Sequence, residues 1–180
     1  MKLKNIWDAT VHHRGEFLEF LEYQSKEYIH NVRAKGIVLV IPVTAEKEII
    51  LIEQYRIVLH NDVIEYPAGL AGDEVAYRDE AFVDAAKREL FEEAGYESND
   101  ITHLMAAPTS PGTSTEIVNY YLARDCRQTG QGGGDDTESI VVHKVPLLET
   151  FDWLEKKSRA GILIDPRVFT GLYFVNHFLQ

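Results

Sequence analysis

The sequence has few of the features that mark secreted or membrane proteins. Its 180 residues include a single cysteine, Cys126, so no disulfide can form within the chain and a reducing, cytoplasmic setting is expected. The longest apolar run, residues 37–43, is far shorter than the roughly 20 residues that cross a bilayer. The first five residues are not followed by the apolar stretch of a signal peptide. No membrane partner is therefore expected.

Basic residues are also scarce. Lys and Arg number 18 against 29 Asp and Glu, and the formal net charge is -11. Because nucleic acids and anionic membranes attract clustered Lys and Arg, no nucleic-acid partner is expected. The histidines show no paired spacing that would hold zinc. An acidic protein that binds phosphates needs a cation between its own negative charges and those of the phosphate.

The length and the 45% hydrophobic composition predict one sizeable core. Residues 16–32 read as a hairpin that breaks at Gln24-Ser25, and residues 36–41 and 48–53 read as adjacent buried strands. Residues 66–73 have the Pro and Gly content of a loop. Further strands are predicted at 101–107, 117–123 and 139–145, and helices at 147–157 and 168–179. Strands and helices without regular alternation favour an α+β fold.

Residues 79–94 contain no helix breaker and predict a helix, with Gly95 as its C-cap. Residues three and four apart share a helix face, so Glu89, Glu92 and Glu93 project to one side. Their mutual repulsion is offset well by Mg²⁺, which prefers oxygen ligands and bridges carboxylates to substrate phosphates. A solvated acidic face is the alternative for such a helix.

The wider pattern decides between these two interpretations. Glu80 is followed by seven residues and then by the run from Arg88 to Tyr96, Arg-Glu-Leu-Phe-Glu-Glu-Ala-Gly-Tyr. This segment closely resembles the metal-binding box of the Nudix hydrolases. The preceding residues 65–69 resemble the family's Glu-apolar-Pro-Ala-Gly segment. With Gly69 as the box glycine, the chain carries a five-residue insertion before Glu80.

The resemblance implies roles for individual residues. Glu89 and Glu93 would be the principal ligands of Mg²⁺, for which Mn²⁺ could substitute, and Glu92 a neighbouring ligand or support. The main-chain carbonyl of Ala68 would be a further ligand. Arg88 would orient a glutamate by a charge-assisted hydrogen bond, the alternative being a helix-surface pair with Asp84 or Glu92. Glu80 would orient the site near the helix start.

A general base is expected outside the box. In the ADP-ribose pyrophosphatase branch it is a Glu on a loop well downstream, which points to Glu138. This residue follows the glycine-rich residues 130–134, which we expect to form a mobile loop. Asp136 could take the role instead, or the acidic tip could be merely solvated. No Lys-Ser or Lys-Thr follows the glycines, so they do not form a phosphate-binding P-loop.

Two more segments resemble the enzymes that hydrolyse ADP-ribose and other nucleoside diphosphate sugars. Residues 53–56, Glu-Gln-Tyr-Arg, imply that Arg56 contacts the diphosphate. Residues 110–116 imply substrate-binding roles for Pro111 and Glu116, although Ser-Pro-Gly is also a common turn. The reaction implied is Mg²⁺-dependent hydrolysis of ADP-ribose, GDP-mannose or a similar compound to a nucleoside monophosphate and a sugar phosphate.

Other functions stay open. They are a Nudix hydrolase of dinucleoside polyphosphates, NADH, coenzyme A or capped RNA, and a catalytically silent nucleotide-sugar-binding regulator. The silent alternative is disfavoured because all the box glutamates are present.

The resemblance also implies an architecture, an α/β/α sandwich in which a mixed sheet packs between helices. Residues 34–180 would form the Nudix hydrolase domain. Residues 1–33 would form an N-terminal β segment that pairs two subunits and helps to build the nucleotide pocket, so a homodimer is expected. An aromatic residue of this segment, Trp7, Tyr23 or Tyr28, could stack on a base.

Overall fold

The computed structural model describes residues 8–72, 75–134 and 139–178. The strands are β1 (Thr10–Arg14), β2 (Leu18–Tyr23), β3 (Lys26–Asn31), β4 (Gly36–Pro42), β5 (Glu48–Arg56), β6 (Asn61–Glu65), β7 (Ala68–Ala71), β8 (Tyr96–Glu97), β9 (Asp100–Pro108), β10 (Ile117–Arg124), β11 (Arg127–Gln128), β12 (Ile140–Pro146) and β13 (Leu163–Ile164). The helices are α1 (Phe82–Ala94), α2 (Thr150–Arg159) and α3 (Pro166–Phe178), with single 3-10 turns at Val75–Tyr77 and Leu147–Glu149. None of the described helices is both long and apolar enough to span a bilayer.

The central strands form mixed sheets. One sheet has the order β7-β4-β10-β9, in which β4 and β10 are parallel and the other pairs antiparallel. A second has the order β12-β5-β6-β13, in which only the short β13 runs parallel to its neighbour. The mixture of directions, without regular strand-helix alternation, confirms the predicted α+β class.

The prediction that β4 and β5 are adjacent strands is wrong, because the two strands belong to different sheets. Val43, the residue after β4, forms an isolated antiparallel bridge with Ile49 of β5. Both strands are buried on both faces along most of their length. Two-sided burial makes a strand read as a continuous apolar run, and such a run carries no information about which strand will pair with it.

Helices cover the strands from two sides. On one side, Leu39 and Ile41 of β4 pack in a cluster that includes side chains of α2 and α3. On the other, Val38 and Val40 of the same strand pack in a cluster with α1. The alternation of side chains along β4 therefore supplies both layers, and the prediction of a mixed sheet between helices is confirmed.

The N-terminal strands form a separate antiparallel sheet in the order β1-β2-β3. The predicted hairpin is confirmed as β2 and β3, and its turn lies at Gln24 and Ser25, which have left-handed φ values of 52° and 59°. The sheet attaches to the rest of the chain through Ile29, whose amide donates to Thr113 O over 2.8 Å. This attachment places β3 against the loop that carries Pro111 and Glu116.

Candidate active site

Helix α1 carries Glu89, Glu92 and Glu93 and begins later than predicted, at Phe82 instead of residue 79, so Glu80 lies before it. Its inner face is made of small side chains, Ala85, Ala86 and Ala94, with Leu90, which let the helix lie close to β4. The helix ends at Gly95, as predicted, with a left-handed φ of 73° and an amide that donates to Leu90 O and Phe91 O. Close packing brings the edge of this helix, and hence its glutamates, down to the sheet.

Two of these glutamates are buried. Glu89 is 8% exposed and Glu93 is 4% exposed, whereas the side chain of Glu92 is 47% exposed. A buried carboxylate is costly unless cations or hydrogen-bond donors compensate it. Glu89 and Glu93 are therefore the residues for which compensation matters most.

Arg88 supplies part of that compensation. Its Nη1 donates to Glu89 Oε1 at 2.7 Å and to Glu92 Oε2 at 3.0 Å, and its Nη2 donates to Glu80 Oε1 at 3.0 Å. Burial alone would lower the pKa of Arg88, but the hydrogen bond to Glu80 and the charge of Glu89 outweigh it and raise that pKa. Arg88 thus contacts three glutamates at once. One of them is Glu92, a partner expected if Arg88 formed only a helix-surface pair.

Strand β7 lies directly beneath the glutamates, and it corrects the prediction of a loop at residues 66–73. The amide of Ala68 donates to Glu93 Oε2 at 2.9 Å. A Cβ added at Gly69 would lie 2.2 Å from both Cδ and Oε1 of Glu89, so this carboxylate rests on bare backbone. The proline and glycine content of this segment suggests a loop. The glycine instead lies within a strand that pairs with β4, where the absence of a side chain makes room for Glu89.

Two residues between Gly69 and Glu80 contact the site. The amide of Gly72 donates to Glu80 Oε1 at 3.3 Å, and the guanidinium of Arg88 lies 4.6 Å from the centre of the Tyr77 ring. Gly72 therefore helps to hold Glu80, and Tyr77 covers the guanidinium with an aromatic face.

The arrangement fits a hard divalent cation. Glu80, Glu89 and Glu92 pair with the one guanidinium of Arg88, and Glu93 accepts from the Ala68 amide, so the four carboxylates leave an excess of negative charge. Across the described residues, no group of three or more His, Cys, Asp or Glu side chains converges into a complete ligand cage. A pair of carboxylates without a cage suits Mg²⁺, which keeps several waters and takes further oxygens from substrate phosphates.

The glycine-rich residues 130–134 form a loop, as predicted, and this loop is hydrogen-bonded to the end of α1. The amides of Gly133 and Gly134 donate to Glu93 O at 2.8 Å and to Glu92 O at 3.1 Å, which caps the end of α1. A Cβ at Gly132 would lie 2.6 Å from Glu93 O, so only glycine can approach this closely. Glu138 and Asp136, the candidate bases, lie outside the described residues.

The glutamates open onto a cavity of about 1300 Å³. Its walls include the predicted residues Arg56, Ala68, Arg88, Glu89, Glu92, Glu93 and Glu116. Pro111 is exposed and is not among the lining residues, and Glu80 reaches the site through Arg88. The walls also include Asp165 and Arg167 near the start of α3, which the sequence analysis missed because no recognisable motif surrounds them.

Comparison with known proteins agrees with this geometry. The model of the NUDIX domain matches residues 34–163, which is most of the chain and includes β7, α1 and the cavity residues up to Glu116. The chain belongs to the NUDIX family. The match ends at residue 163, whereas the predicted domain extends to residue 180, and the division of the chain after residue 33 stays a prediction.

Curated relatives of this NUDIX chain carry more than one name. It is 34% identical over 129 residues to the ADP-ribose pyrophosphatase of Bacillus subtilis (strain 168), and 34% identical over 127 residues to the methanol dehydrogenase activator of Bacillus methanolicus; each match covers 70% of this chain and 66% of the relative. A GDP-mannose pyrophosphatase of Cronobacter sakazakii is 29% identical over 143 residues, covering 75% of this chain and 70% of the relative. The NUDIX chain thus spans just under two thirds of the length of the first two.

A solved structure shares the fold. The crystal structure of an ADP compounds hydrolase matches 97% of this NUDIX chain and 93% of its own, with a TM-score of 0.71 and 23% sequence identity. At that identity the likeness concerns the fold alone, and it confirms the predicted Nudix sandwich with mixed sheets.

Proposed function

We propose that the protein is a Mg²⁺-dependent pyrophosphatase that hydrolyses a nucleoside diphosphate sugar, such as ADP-ribose or GDP-mannose, to a nucleoside monophosphate and a sugar phosphate. The observation that carries the proposal is one cavity lined both by the buried carboxylates of Glu89 and Glu93 and by the guanidinium of Arg56. Carboxylates suit the cation, and a guanidinium suits a phosphate. The names of two pyrophosphatase relatives support the substrate class.

Each residue then has a task in the reaction. Glu89 and Glu93 would hold Mg²⁺, which supplies charge neutralisation on the phosphate oxygens and an activated water. Arg88 holds Glu89 in place through its 2.7 Å hydrogen bond, and the Ala68 amide does the same for Glu93. Arg56 would bind the diphosphate, and Glu116 would lie near the terminal sugar. The Ala68 carbonyl as a further metal ligand and a substrate role for Pro111 remain parts of the proposal.

The base is assigned to Glu138. Support comes from the segment before it: Gly134 lines the cavity and is fixed to the end of α1 by its hydrogen bond to Glu92 O. Glu138 lies four residues further along the chain. We expect Glu138→Gln to slow turnover while leaving Mg²⁺ binding intact; Asp136→Asn is the matched variant, and loss of turnover only there would move the role to Asp136.

Product analysis tests the proposed reaction. The purified protein is incubated with Mg²⁺ or Mn²⁺ and a panel of ADP-ribose, GDP-mannose, a dinucleoside polyphosphate, NADH, coenzyme A and capped RNA. We expect a nucleoside monophosphate and a sugar phosphate from a nucleotide sugar. Intact ADP-ribose and GDP-mannose beside rapid cleavage of another compound would transfer the chain to that other class.

A metal-site variant accompanies this assay. Glu93→Gln should reduce turnover by orders of magnitude with little change in circular dichroism, because the amide of Ala68 can still donate to a Gln oxygen. Near-normal turnover would place the metal elsewhere.

A regulatory role is the second candidate, since one relative is named a methanol dehydrogenase activator. A regulator that binds a nucleotide sugar without cleaving it would show binding and no products in the panel. The intact set Glu80, Glu89, Glu92 and Glu93 favours catalysis over this alternative.

We also propose a cytoplasmic homodimer built through the N-terminal sheet. The sheet exposes Val11, Phe17, Phe20 and Tyr23, each between 37% and 53% exposed, which is a surface suited to a second subunit. Trp7, a candidate for base stacking, lies outside the described residues, while Tyr23 and Tyr28 lie within this sheet. Sedimentation showing a monomer at micromolar concentration would remove the shared pocket.

A further inference from the structure

A second charged cluster lines the cavity on the side of α3. It consists of Arg56, Glu65, Asp165 and Arg167, and we call its two arginines the clamp. Only Arg56 was expected to meet the substrate. The cluster belongs to the layer of α3, whereas the glutamate site belongs to α1.

The parallel pairing of β6 and β13 builds the carboxylate half of this cluster. Val63 pairs with Leu163 and Ile64 with Ile164, and the Asp165 amide donates to Ile64 O at 3.0 Å. Glu65 and Asp165 therefore each follow the last paired residue of two adjacent parallel strands. Residues a hundred positions apart are placed side by side by this register.

The two arginines are held by these carboxylates. Glu65, only 5% exposed, accepts from Arg56 Nε at its Oε2 over 2.7 Å and from Arg167 Nη2 at its Oε1 over 3.3 Å. Asp165 Oδ2 accepts from Arg167 Nε at 2.8 Å, and also from Nη2, while Asp165 Oδ1 accepts from the Arg167 amide at 2.7 Å. Both guanidiniums are thus oriented before any ligand arrives.

Donors remain for a ligand. Among the residues that the structure describes, the hydrogen bonds to Glu65 and Asp165 occupy Nε of Arg56 and Nε and Nη2 of Arg167. They leave Nη1 of Arg167 and both Nη atoms of Arg56, and both side chains line the cavity. The two Nη atoms of Arg56 form a fork that matches two oxygens of a phosphate, and Nη1 of Arg167 can donate to a further oxygen.

We propose that Arg167 is a substrate-binding residue that clamps, together with Arg56, the phosphoryl group of the substrate lying away from the glutamate site, while Glu65 and Asp165 position the clamp. This rests on the proposed function. Glu65 and Ala68 are three residues apart, so their Cα atoms lie within about 10 Å of each other. A ligand as long as a nucleoside diphosphate sugar can therefore reach both the clamp and the glutamates.

The test compares Arg167→Ala and Arg167→Lys with a matched control, Arg159→Ala, whose guanidinium pairs on the surface with Glu155. Steady-state kinetics with ADP-ribose and Mg²⁺ are combined with calorimetric binding of ADP-ribose in EDTA, since the clamp needs no metal. Arg167→Ala should raise both KM and the metal-free Kd by about 10- to 100-fold, the range for a lost charge-assisted hydrogen bond. Its effect on kcat should be smaller.

The conservative variant separates binding from a structural role. Arg167→Lys keeps the charge beside Asp165 and Glu65 and should restore the melting temperature, but one ammonium cannot pair with these carboxylates and also reach the ligand as Nη1 of Arg167 does, so KM should remain raised. Recovery of KM and Kd together with stability in Arg167→Lys would show a merely structural role. The control Arg159→Ala should match the wild type in every readout.

The results that would overturn the clamp differ from the result that would overturn the proposed function. Equal metal-free Kd values for wild type and Arg167→Ala would overturn the clamp even if hydrolysis proceeds. So would a wild type that binds neither ADP-ribose nor inorganic pyrophosphate in EDTA. A wild type that binds in EDTA through Arg167 but hydrolyses no nucleotide sugar with either metal would overturn the proposed function and leave the clamp standing.

Discussion

Gly69→Ala offers a sharp test of how the glutamate site is built. The added Cβ would lie 2.2 Å from Cδ and Oε1 of Glu89 and 2.5 Å from its Oε2. Ordinary contact with a Cβ begins at 3.4 Å, so the carboxylate must move by about 1 Å or more. Only the far end of a flexible side chain is displaced, and no backbone atom is among the nearest contacts. The substitution therefore acts on the position of one proposed metal ligand.

The expected magnitude follows from this displacement. A misplacement of about 1 Å in a reacting constellation can lower the rate by about 100-fold, so kcat/KM should fall by roughly that factor and Mg²⁺ affinity should weaken. Stability should hold or increase, because replacing glycine by alanine in compatible backbone contributes about 0.4–1 kcal/mol through the unfolded chain. Loss of activity with retained stability is the signature.

The assay pairs initial rates over a Mg²⁺ titration with urea unfolding. Gly36→Ala in the neighbouring strand β4 is the matched control, since its Cβ would meet the Phe82 ring at 3.3 Å and no glutamate. If Gly69→Ala retained kcat/KM within about threefold of the control, with unchanged Mg²⁺ affinity, then Glu89 does not need the place in which the structure holds it.

Three further outcomes are expected. Gly171→Ala should destabilise the fold by about 1–3 kcal/mol in urea unfolding, because its Cβ would lie 2.3 Å from the buried Tyr66 ring; an unchanged midpoint would contradict the packing. Burial opposes ionisation of Glu53, but Lys157 at 2.6 Å and His143 at 2.7 Å together outweigh burial through their hydrogen bonds and charges and lower the Glu53 pKa. Its contribution is thus present above the unfolded pKa near 4.5 and is lost as pH falls through the folded value, so the stability difference between wild type and Glu53→Gln should shrink below about pH 4.5; a constant difference would refute the linkage. Burial raises the pKa of Cys126 to about 12, so the native protein should react with a thiol reagent at pH 8 far more slowly than the urea-unfolded chain, and equal rates would show an exposed thiol.

Local patterns in the sequence were enough to predict the glutamate helix. The carboxylates of Glu89 and Glu93 share a face because of the helical repeat alone, and Gly95 ends the helix through its own conformational freedom. The hairpin at Gln24-Ser25 and the α+β class likewise follow from short-range signals. The family resemblance added the roles of Arg56 and Ala68, which no periodicity could indicate.

Non-local pairing could not be predicted in the same way. The short strands β8, β11 and β13 have two residues each, too few to show a period, and β7 combines a proline-preceded start with a glycine. The contribution of Arg167 depends on β13 lying parallel to β6, which is a property of the assembled sheet. The fixed course of residues 130–134 similarly depends on the carbonyls at the end of α1, not on the glycines by themselves.

The two halves of the cavity differ in how far the chain must travel to form them. The hydrogen bond between Ala68 and Glu93 spans 25 positions, whereas that between Glu65 and Arg167 spans 102. Closing the longer span costs about 1 kcal/mol more in chain entropy on a logarithmic scale. The glutamate half can therefore form from one local stretch of chain, whereas the half with Arg167 forms only after the distant strands β6 and β13 have paired.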